Sequence, residues 1–251
     1  MRLLISVAAA AEVGAALEGG ADLVDAKDPR LGPLGAVSIE ALRQIHAACA
    51  RARPVTAALG DATSEAAIEC AALTFCGAGA AFVKIGFAGH ARLTRVESLL
   101  AAAVRGARAA AAARPEPDDS REGGVIAVAY ADADRAATIG FSDLIPLAAR
   151  AGATGVLLDT ADKRGPGLRQ LVSPDALAAW IAHAHQEGLV VAVAGKLTAA
   201  DLPFVCDAGA DIAGVRGAAC DDGRTGRVVA DKVHALRMLC GFREPQSTRS
   251  A

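Results

Sequence analysis

Aromatic residues are scarce in this sequence. Only 3% of its 251 residues are Phe, Trp or Tyr, although 53% are apolar. A core of that composition must be built mainly from Ala, Val, Leu and Ile. Long apolar runs are missing as well, since Arg105 and Arg108 interrupt the Ala-rich tract from Ala101 to Ala113. A membrane span needs about 18 apolar residues or more, so we expect no membrane association.

An excess of either charge is also missing. The 26 basic and 28 acidic residues give a formal net charge of -2 at pH 7. Proteins that bind nucleic acid usually present a concentrated basic surface. We therefore expect no nucleic-acid partner, and we look for a small-molecule substrate.

Signals for export are missing too. The apolar start Met1–Val7 soon reaches Glu12 and has no A-x-A cleavage site, so it predicts a buried first strand rather than a signal peptide. The six cysteines form no C-x-x-C pair and have no histidine at metal-ligand spacing. We expect reduced thiols in a cytoplasmic protein that holds no metal.

The sequence does contain an alternation of strand and helix, eight times over. Apolar strands bounded by glycine and separated by helices are typical of a parallel sheet covered by helices. Eight such units in about 250 residues match the size of a closed (β/α)8 barrel, the TIM barrel. The predicted strands are Arg2–Ser6, Leu23–Lys27, Val55–Leu59, Phe82–Ile85, Val125–Tyr130, Gly155–Asp159, Val190–Ala194 and Ile212–Arg216. The predicted helices lie near residues 9–18, 39–52, 64–76, 92–112, 142–151, 174–186, 199–208 and 226–240.

A recurring glycine motif supports one architecture throughout. Gly20, Gly79, Gly152 and Gly209 each stand three residues before a predicted strand, where glycine suits the left-handed position that ends a helix. We therefore predict a single domain over residues 1–251, with a polar loop at Arg114–Gly124 and a disordered or extended tail from about residue 242 to 251. The alternative is an open doubly wound sheet, but its G-x-G-x-x-G signature is missing after the first strand.

Lysine is rare among the basic residues, with five lysines against 21 arginines. Lysine can form an imine, whereas arginine stays protonated. Lys27, Lys84, Lys163 and Lys196 fall at or just after predicted strand ends, and in a barrel these ends surround the mouth where active sites are built. Lys27 and Lys84 are the strongest candidates because each is embedded in its strand. Lys232 lies in the last helix and is expected at the surface.

Three carboxylates follow the same pattern. Asp25, Asp132 and Asp159 lie at the carboxyl ends of predicted strands. Strand side chains alternate, so Asp25 and Lys27 share one face of their strand. A metal site built from these carboxylates is the rival interpretation. The nearby ammonium groups count against it, because they would compete with a divalent cation.

Two turns that contain glycine and a basic residue follow the last two predicted strands. Glycine lets backbone N–H groups approach an anion, and the loops after strands seven and eight of a barrel often bind phosphate. The candidate phosphate-binding residues are therefore Gly195, Lys196, Arg216 and Gly217. The substrate is expected to be a phosphate ester.

These segments together resemble the (5-formylfuran-3-yl)methyl phosphate synthase family, also called 4-(hydroxymethyl)-2-furancarboxaldehyde-phosphate synthase. The resemblance runs through nearly the whole chain in the same order. The segments that carry it are Val24-Asp25-Ala26-Lys27-Asp28-Pro29 with Gly32 and Leu34-Gly35-Ala36, Phe82-Val83-Lys84-Ile85-Gly86, Ala129-Tyr130-Ala131-Asp132, Leu158-Asp159-Thr160-Ala161 followed by Lys163, and Gly214-Val215-Arg216-Gly217-Ala218-Ala219-Cys220.

The resemblance implies a TIM-barrel enzyme that makes the furan precursor of methanofuran from two molecules of glyceraldehyde 3-phosphate, without a cofactor. It implies that Lys27 is the Schiff-base residue and that Lys84 is the proton acceptor. Asp25, Asp159 and Lys163 match the supporting positions of the family's active site.

A mechanism follows from these assignments. Neutral Lys27 would condense with a triose-phosphate carbonyl, and the iminium would acidify the adjacent carbon to give an enamine. The ammonium of Lys84 would favour the neutral form of Lys27, and Lys84 with a carboxylate would then move protons. Asp25 would orient Lys27, while Asp159 and Lys163 would assist ring closure and the loss of phosphate and water.

Two other functions stay open at this point. A class I aldolase acting on another sugar phosphate would use the same lysine chemistry, and a non-catalytic barrel would only bind a phosphorylated ligand. The pair of lysines at positions 27 and 84 counts against a pure binding protein.

One departure from the family pattern is Lys196, where a small residue such as Ser is expected. The oligomeric state is open, with a homo-oligomer among the alternatives.

Overall fold

The computed structural model describes residues 1–113 and 124–241. Within these residues, parallel strands pair in sequence order and close into a barrel. The strands are β1 Arg2–Val7, β2 Leu23–Ala26, β3 Val55–Asp61, β4 Phe82–Gly86, β5 Gly124–Tyr130, β6 Gly155–Asp159, β7 Val190–Val193 and β8 Ile212–Val215. The closed order confirms the predicted (β/α)8 barrel and rules out the open sheet.

Helices cover the outside of the barrel. They are α1 Val13–Glu18, α2 Ile39–Cys49, α3 Glu65–Gly77, α4 Leu93–Ala112, α5 Ala133–Ala136, α6 Leu144–Ala151, α7 Leu168–Leu171, α8 Pro174–Gln186, α9 Leu202–Asp207 and α10 Ala230–Leu239. Three of them begin at a serine, Ser38, Ser64 or Ser173, whose hydroxyl accepts a backbone N–H of the first turn. The sequence did not predict α5 and α7, because four residues are too few to show a helical period.

The glycine motif has the predicted backbone conformation. Gly20, Gly79, Gly152 and Gly209 have φ angles of +89°, +114°, +74° and +93°. Residues with a Cβ rarely adopt these angles, whereas glycine does so at little cost. The motif therefore turns the chain from a helix into the next strand in four places.

Each strand alternates between the barrel interior and the helical shell. On β1, for example, Leu3 and Ile5 belong to the outer core between strands and helices, and Leu4 belongs to the inner core. On β2, Val24 and Ala26 face the outer core, as predicted from the alternation. Some of the inward positions near the carboxyl ends of the strands are polar, and these side chains line a mouth at that end of the barrel; they are Ser6, Asp25, Lys84 and Asp159.

Two predicted segments lie outside the described residues. They are positions 114–123 of the predicted Arg114–Gly124 loop and the tail 242–251. Gly124 itself is the first residue of β5. In the part of the chain that the structure describes, no helix is both long enough and apolar enough to cross a bilayer.

Candidate active site

A cavity of about 440 Å³ opens at the carboxyl ends of the strands. This volume is within the range of about 300–1,000 Å³ that small-molecule sites occupy. Parallel strands end at the same rim, so residues distant in sequence meet there. The charged side chains that line the cavity are Asp25, Lys27, Lys84, Asp159, Lys163, Lys196, Arg216 and Arg224.

Asp25 is the centre of a buried network in the cavity floor. The parallel register places Ser6 of β1 and Thr56 of β3 on either side of it. Both hydroxyls donate to its carboxylate, at 3.0 Å from Ser6 Oγ and 2.8 Å from Thr56 Oγ1. Lys84 of β4 completes the network, with Nζ 2.5 Å from Asp25 Oδ2. Asp25 and Lys84 are 0% and 5% exposed, so water screens this ion pair little.

Charge and burial oppose each other in this pair. Burial alone would raise the pKa of Asp25, but the ammonium groups of Lys84 and Lys27 hold that pKa below its usual value. Burial also lowers the pKa of Lys84, and the attraction of Asp25 offsets this only in part. Lys84 is therefore an ammonium group that gives up its proton more readily than an exposed lysine does.

A second ion pair lies on β6 and the loop that follows it. Lys163 Nζ is 2.5 Å from Asp159 Oδ1, which also accepts the backbone N–H of Thr160 at 2.7 Å. Burial would raise the pKa of Asp159, but the charges of Lys163 and Lys27 hold it below its usual value. Asp159 Oδ2 is buried and has no hydrogen-bond partner among the described residues. One oxygen of this carboxylate therefore has an unused capacity to accept a hydrogen bond.

Lys27 lies between the two ion pairs. It is the first residue after β2, and its backbone N–H donates to Val7 O at 3.0 Å, which continues the strand pairing. Its charge acts on the pKa of each member of both pairs. Within the described residues its amine forms no hydrogen bond or ion pair. The cavity therefore contains one unpaired amine flanked by two paired ones.

The lysine titrations offer a direct check of this arrangement, because only five lysines contribute to an NMR spectrum of ¹³Cε-labelled protein. We expect Lys84 and Lys163 to titrate below the usual lysine value, since burial lowers the pKa of both. Asp25→Asn removes the charge that raises the pKa of Lys84, so the Lys84 titration should move to still lower pH. Asp159→Asn serves as the matched variant and should move Lys163 more than Lys84. A Lys84 titration unmoved by Asp25→Asn would contradict the pairing.

Arg216, a predicted phosphate-binding residue, has its guanidinium fully paired within the protein. Its guanidinium forms a two-point ion pair with Glu12, at 2.7 and 2.9 Å, and donates to the carbonyls of Ser6, Arg224 and Gly226. These contacts use all five of its N–H groups. Arg216 therefore joins the loops after β1 and β8, and Glu12 neutralises its charge.

The loops after β7 and β8 present backbone donors to the cavity. Gly195 and Lys196 have φ angles of +103° and +60°, and Gly217 begins a 3-10 turn that ends at Ala219. Among the described residues, the backbone N–H groups of Lys196, Gly217 and Ala218 find no acceptor. The Lys196 side chain is exposed and donates to Gly165 O at 2.5 Å. These turns can bind an anion through backbone N–H groups.

Asp132 lies outside the cavity lining. Its two carboxylate oxygens accept the backbone N–H groups of Ala161 and Asp162, at 2.7 and 2.8 Å. Asp132 thus holds the loop that carries Lys163. In the described residues, no group of three or more His, Cys, Asp or Glu side chains is placed to hold a metal ion.

Comparison with known proteins gives a consistent result. Residues 3–237 match a family model described as 4-HFC-P synthase. A (5-formylfuran-3-yl)methyl phosphate synthase of Methanopyrus kandleri is 35% identical over 239 residues, which cover 95% of this chain and 97% of that protein. The protein of the same name from Methanocaldococcus jannaschii is 32% identical over 243 residues, covering 96% of this chain and 100% of that one.

Solved structures share the fold. A 3-hexulose-6-phosphate synthase superposes with a TM-score of 0.61 at 21% identity, covering 96% of this chain and all of that one. Orotidine 5'-phosphate decarboxylase from Pyrococcus horikoshii superposes with a TM-score of 0.61 at 16% identity, covering 95% and 98% of the two chains. At such low identity these likenesses support the barrel architecture alone.

Proposed function

The chain belongs to the 4-HFC-P synthase family, and we propose that it condenses two molecules of glyceraldehyde 3-phosphate into (5-formylfuran-3-yl)methyl phosphate through a Schiff base on Lys27. The family is one of synthases, so the chain is an enzyme. The observation that carries the proposed chemistry is the unpaired Lys27 amine between two ion pairs, the buried pair Asp25–Lys84 and the partly buried pair Asp159–Lys163. This arrangement supplies a nucleophile together with groups that can move protons beside it.

The first step is addition of the neutral Lys27 amine to the aldehyde carbon of one triose phosphate. Water leaves, and the resulting iminium draws electrons from the adjacent carbon. Loss of a proton from that carbon gives an enamine, whose electron pair can expel phosphate or form the new carbon–carbon bond. Hydrolysis of the imine at the end returns Lys27 as the free amine.

The two ion pairs serve these proton transfers. Lys84 has a lowered pKa and is held by Asp25 at 2.5 Å, so it can exchange a proton with a substrate carbon or oxygen. Asp159 offers the free oxygen Oδ2, and Lys163 lies beside it. We assign Lys84 to the proton transfers at the Schiff base, and Asp159 with Lys163 to ring closure and elimination.

A surplus of positive charge in the mouth suits phosphorylated substrates. Three of the six basic residues in the lining are paired with carboxylates, namely Lys84, Lys163 and Arg216. Lys27, Lys196 and Arg224 have no such partner in the described part of the chain. The backbone donors near Gly195 and Gly217 lie in the same cavity and would hold the phosphate that the product keeps.

The atoms balance as two triose phosphates giving one furan phosphate, one inorganic phosphate and two waters, with no oxidant or reductant. The furan would serve as a precursor of methanofuran. Its synthesis would take place in the cytoplasm, because all six cysteines are free thiols.

Product analysis distinguishes this function from an aldolase. Incubation of the chain with glyceraldehyde 3-phosphate should give a near-ultraviolet absorbance from the furan aldehyde, with one inorganic phosphate released for each furan. A class I aldolase would instead consume the substrate and form a sugar phosphate that neither absorbs there nor releases phosphate. Consumption without absorbance or released phosphate would therefore overturn the proposal, and no consumption at all would indicate a barrel that only binds its ligand.

A further inference from the structure

Arg224 is a cation in the mouth that the sequence analysis did not single out. It lies in the 3-10 turn Gly223–Thr225, between β8 and α10. Its side chain is half-buried and lines the same cavity as Lys27. Arginine is seldom buried without a partner for its charge. The groups that contact Arg224 therefore indicate what its guanidinium does.

The guanidinium of Arg224 contacts the loop that follows Lys27. Nη1 donates to Pro29 O at 2.6 Å, and Nη2 donates to Gly32 O at 2.5 Å. A guanidinium has five N–H groups, so three of them have no acceptor within the described residues. Both partners are neutral carbonyls, and in that part of the chain no carboxylate forms an ion pair with Arg224.

Arg216 provides a direct contrast in the same loop. All of its donors are used inside the protein, and Glu12 neutralises its charge. Arg224 keeps three free N–H donors, and its guanidinium forms no ion pair with a carboxylate among the described residues. Of the two arginines that line the cavity, Arg224 is thus the one equipped to bind an anion from solution.

The position of Arg224 also connects it to the reacting groups. Burial is the main cause that lowers the pKa of Lys163, and the charge of Arg224 adds to this effect, while the charge of Asp159 acts on Arg224 in turn. A triose phosphate is a short molecule, so an anion held at Arg224 brings the aldehyde into the same cavity as Lys27. A planar guanidinium is well suited to phosphate because it can donate two parallel hydrogen bonds.

We propose that Arg224 binds a phosphoryl group of the substrate with its free donors, while its contacts with Pro29 and Gly32 hold the loop after Lys27. One side chain then couples phosphate recognition to the position of the Schiff-base lysine. This inference rests on the proposed function in one respect, since it takes the substrate to be a triose phosphate that reacts at Lys27.

Calorimetric titration with inorganic phosphate tests the binding part without any reaction at Lys27. Arg224→Ala should weaken phosphate binding about 10- to 100-fold, the effect of losing hydrogen bonds to a charged group. Arg224→Lys should have a phosphate affinity between those of Arg224→Ala and the wild type, because lysine keeps the positive charge but lacks the parallel N–H donors of a guanidinium. Arg30→Ala is the matched control on the exposed surface of the contacted loop and should bind phosphate like the wild type. Equal phosphate affinity of Arg224→Ala and wild type, or no binding by the wild type, would overturn the proposal.

Borohydride trapping with two aldehydes then separates phosphate recognition from support of the loop. The wild type should trap glyceraldehyde 3-phosphate much faster than unphosphorylated glyceraldehyde. Arg224→Ala should lose that preference by about the same factor as it loses phosphate affinity, yet still trap glyceraldehyde. An equal loss with both aldehydes would mean that Arg224 only supports the loop, which overturns its role in binding. Failure of the wild type to trap either aldehyde would refute the Schiff base, while the calorimetry would still decide the role of Arg224.

Discussion

Lys27→Arg should reduce furan formation from glyceraldehyde 3-phosphate by about 10³-fold or more, to the background of the assay. Arginine keeps the positive charge and much of the length of lysine, but it cannot form an imine. The Lys27 amine has no hydrogen-bond partner in the described part of the chain, so the substitution should leave stability nearly unchanged. Furan absorbance and released phosphate, followed over time, measure the effect.

Lys232→Arg is the matched control for this substitution. Lys232 is exposed on α10, and its amine donates to Cys220 O at 2.6 Å, away from the cavity lining. That variant should make the furan at the wild-type rate. Equal furan production by Lys27→Arg and wild type would remove Lys27 from the mechanism.

Lys84→Met should reduce both stability and activity. It leaves the Asp25 carboxylate at 0% exposure with only the hydroxyls of Ser6 and Thr56 and without its ion-pair partner. Breaking a buried ion pair in this way costs about 3–5 kcal/mol in the free energy of unfolding, which denaturant titration would measure. The loss of a proton-transfer group should also slow furan formation about 10²- to 10⁴-fold.

The double variant Asp25→Asn/Lys84→Met separates these two effects. It removes the uncompensated carboxylate, and the amide can still accept a hydrogen bond from a neighbouring hydroxyl. We expect most of the lost stability to return, while activity stays low because the amine is absent. If the single variant were as stable as the wild type, the buried Asp25–Lys84 pair would not exist as described.

The fold and part of the site were predictable because barrel topology converts positions in the sequence into positions in space. Residues at the carboxyl ends of parallel strands must meet at one rim, so four lysines spread from Lys27 to Lys196 could be predicted to share a cavity, and all four line it. The two-residue alternation also placed Asp25 and Lys27 on one face of their strand, and both line the cavity. Short-range rules were sufficient for these predictions.

The partners of the charged groups were not predictable in the same way. Arg216 is paired with Glu12, 204 positions away, and no local pattern in the sequence links the two. The hydroxyls of Ser6 and Thr56 depend on the strand register, which decides which neighbours flank Asp25. The sequence did contain a signal for these partners, because Ser6 and Thr56 are polar residues in otherwise apolar strands. The parallel register pairs both of them with Asp25.

Arg224 escaped prediction for a different reason. It lies in an irregular turn after β8, which has no strand or helix period to indicate where its side chain points. The chain has 21 arginines, so residue type alone did not distinguish Arg224 from the others. Only the fold shows that its side chain reaches the carbonyls of Pro29 and Gly32, 195 and 192 positions earlier. Asp132 is the opposite case. Its place at a strand end made it a candidate site residue, but its carboxylate oxygens accept backbone N–H groups of the loop after β6.

Borohydride reduction of the wild-type enzyme in the presence of glyceraldehyde 3-phosphate, followed by peptide mass mapping, tests the covalent intermediate directly. We expect one stable adduct of the triose with the enzyme, found on the peptide that contains Lys27 and missing from Lys27→Arg. An adduct on Lys84, Lys163 or Lys196 instead, or furan formation by an enzyme that borohydride and substrate together do not modify, would contradict the assignment of Lys27 as the Schiff-base residue.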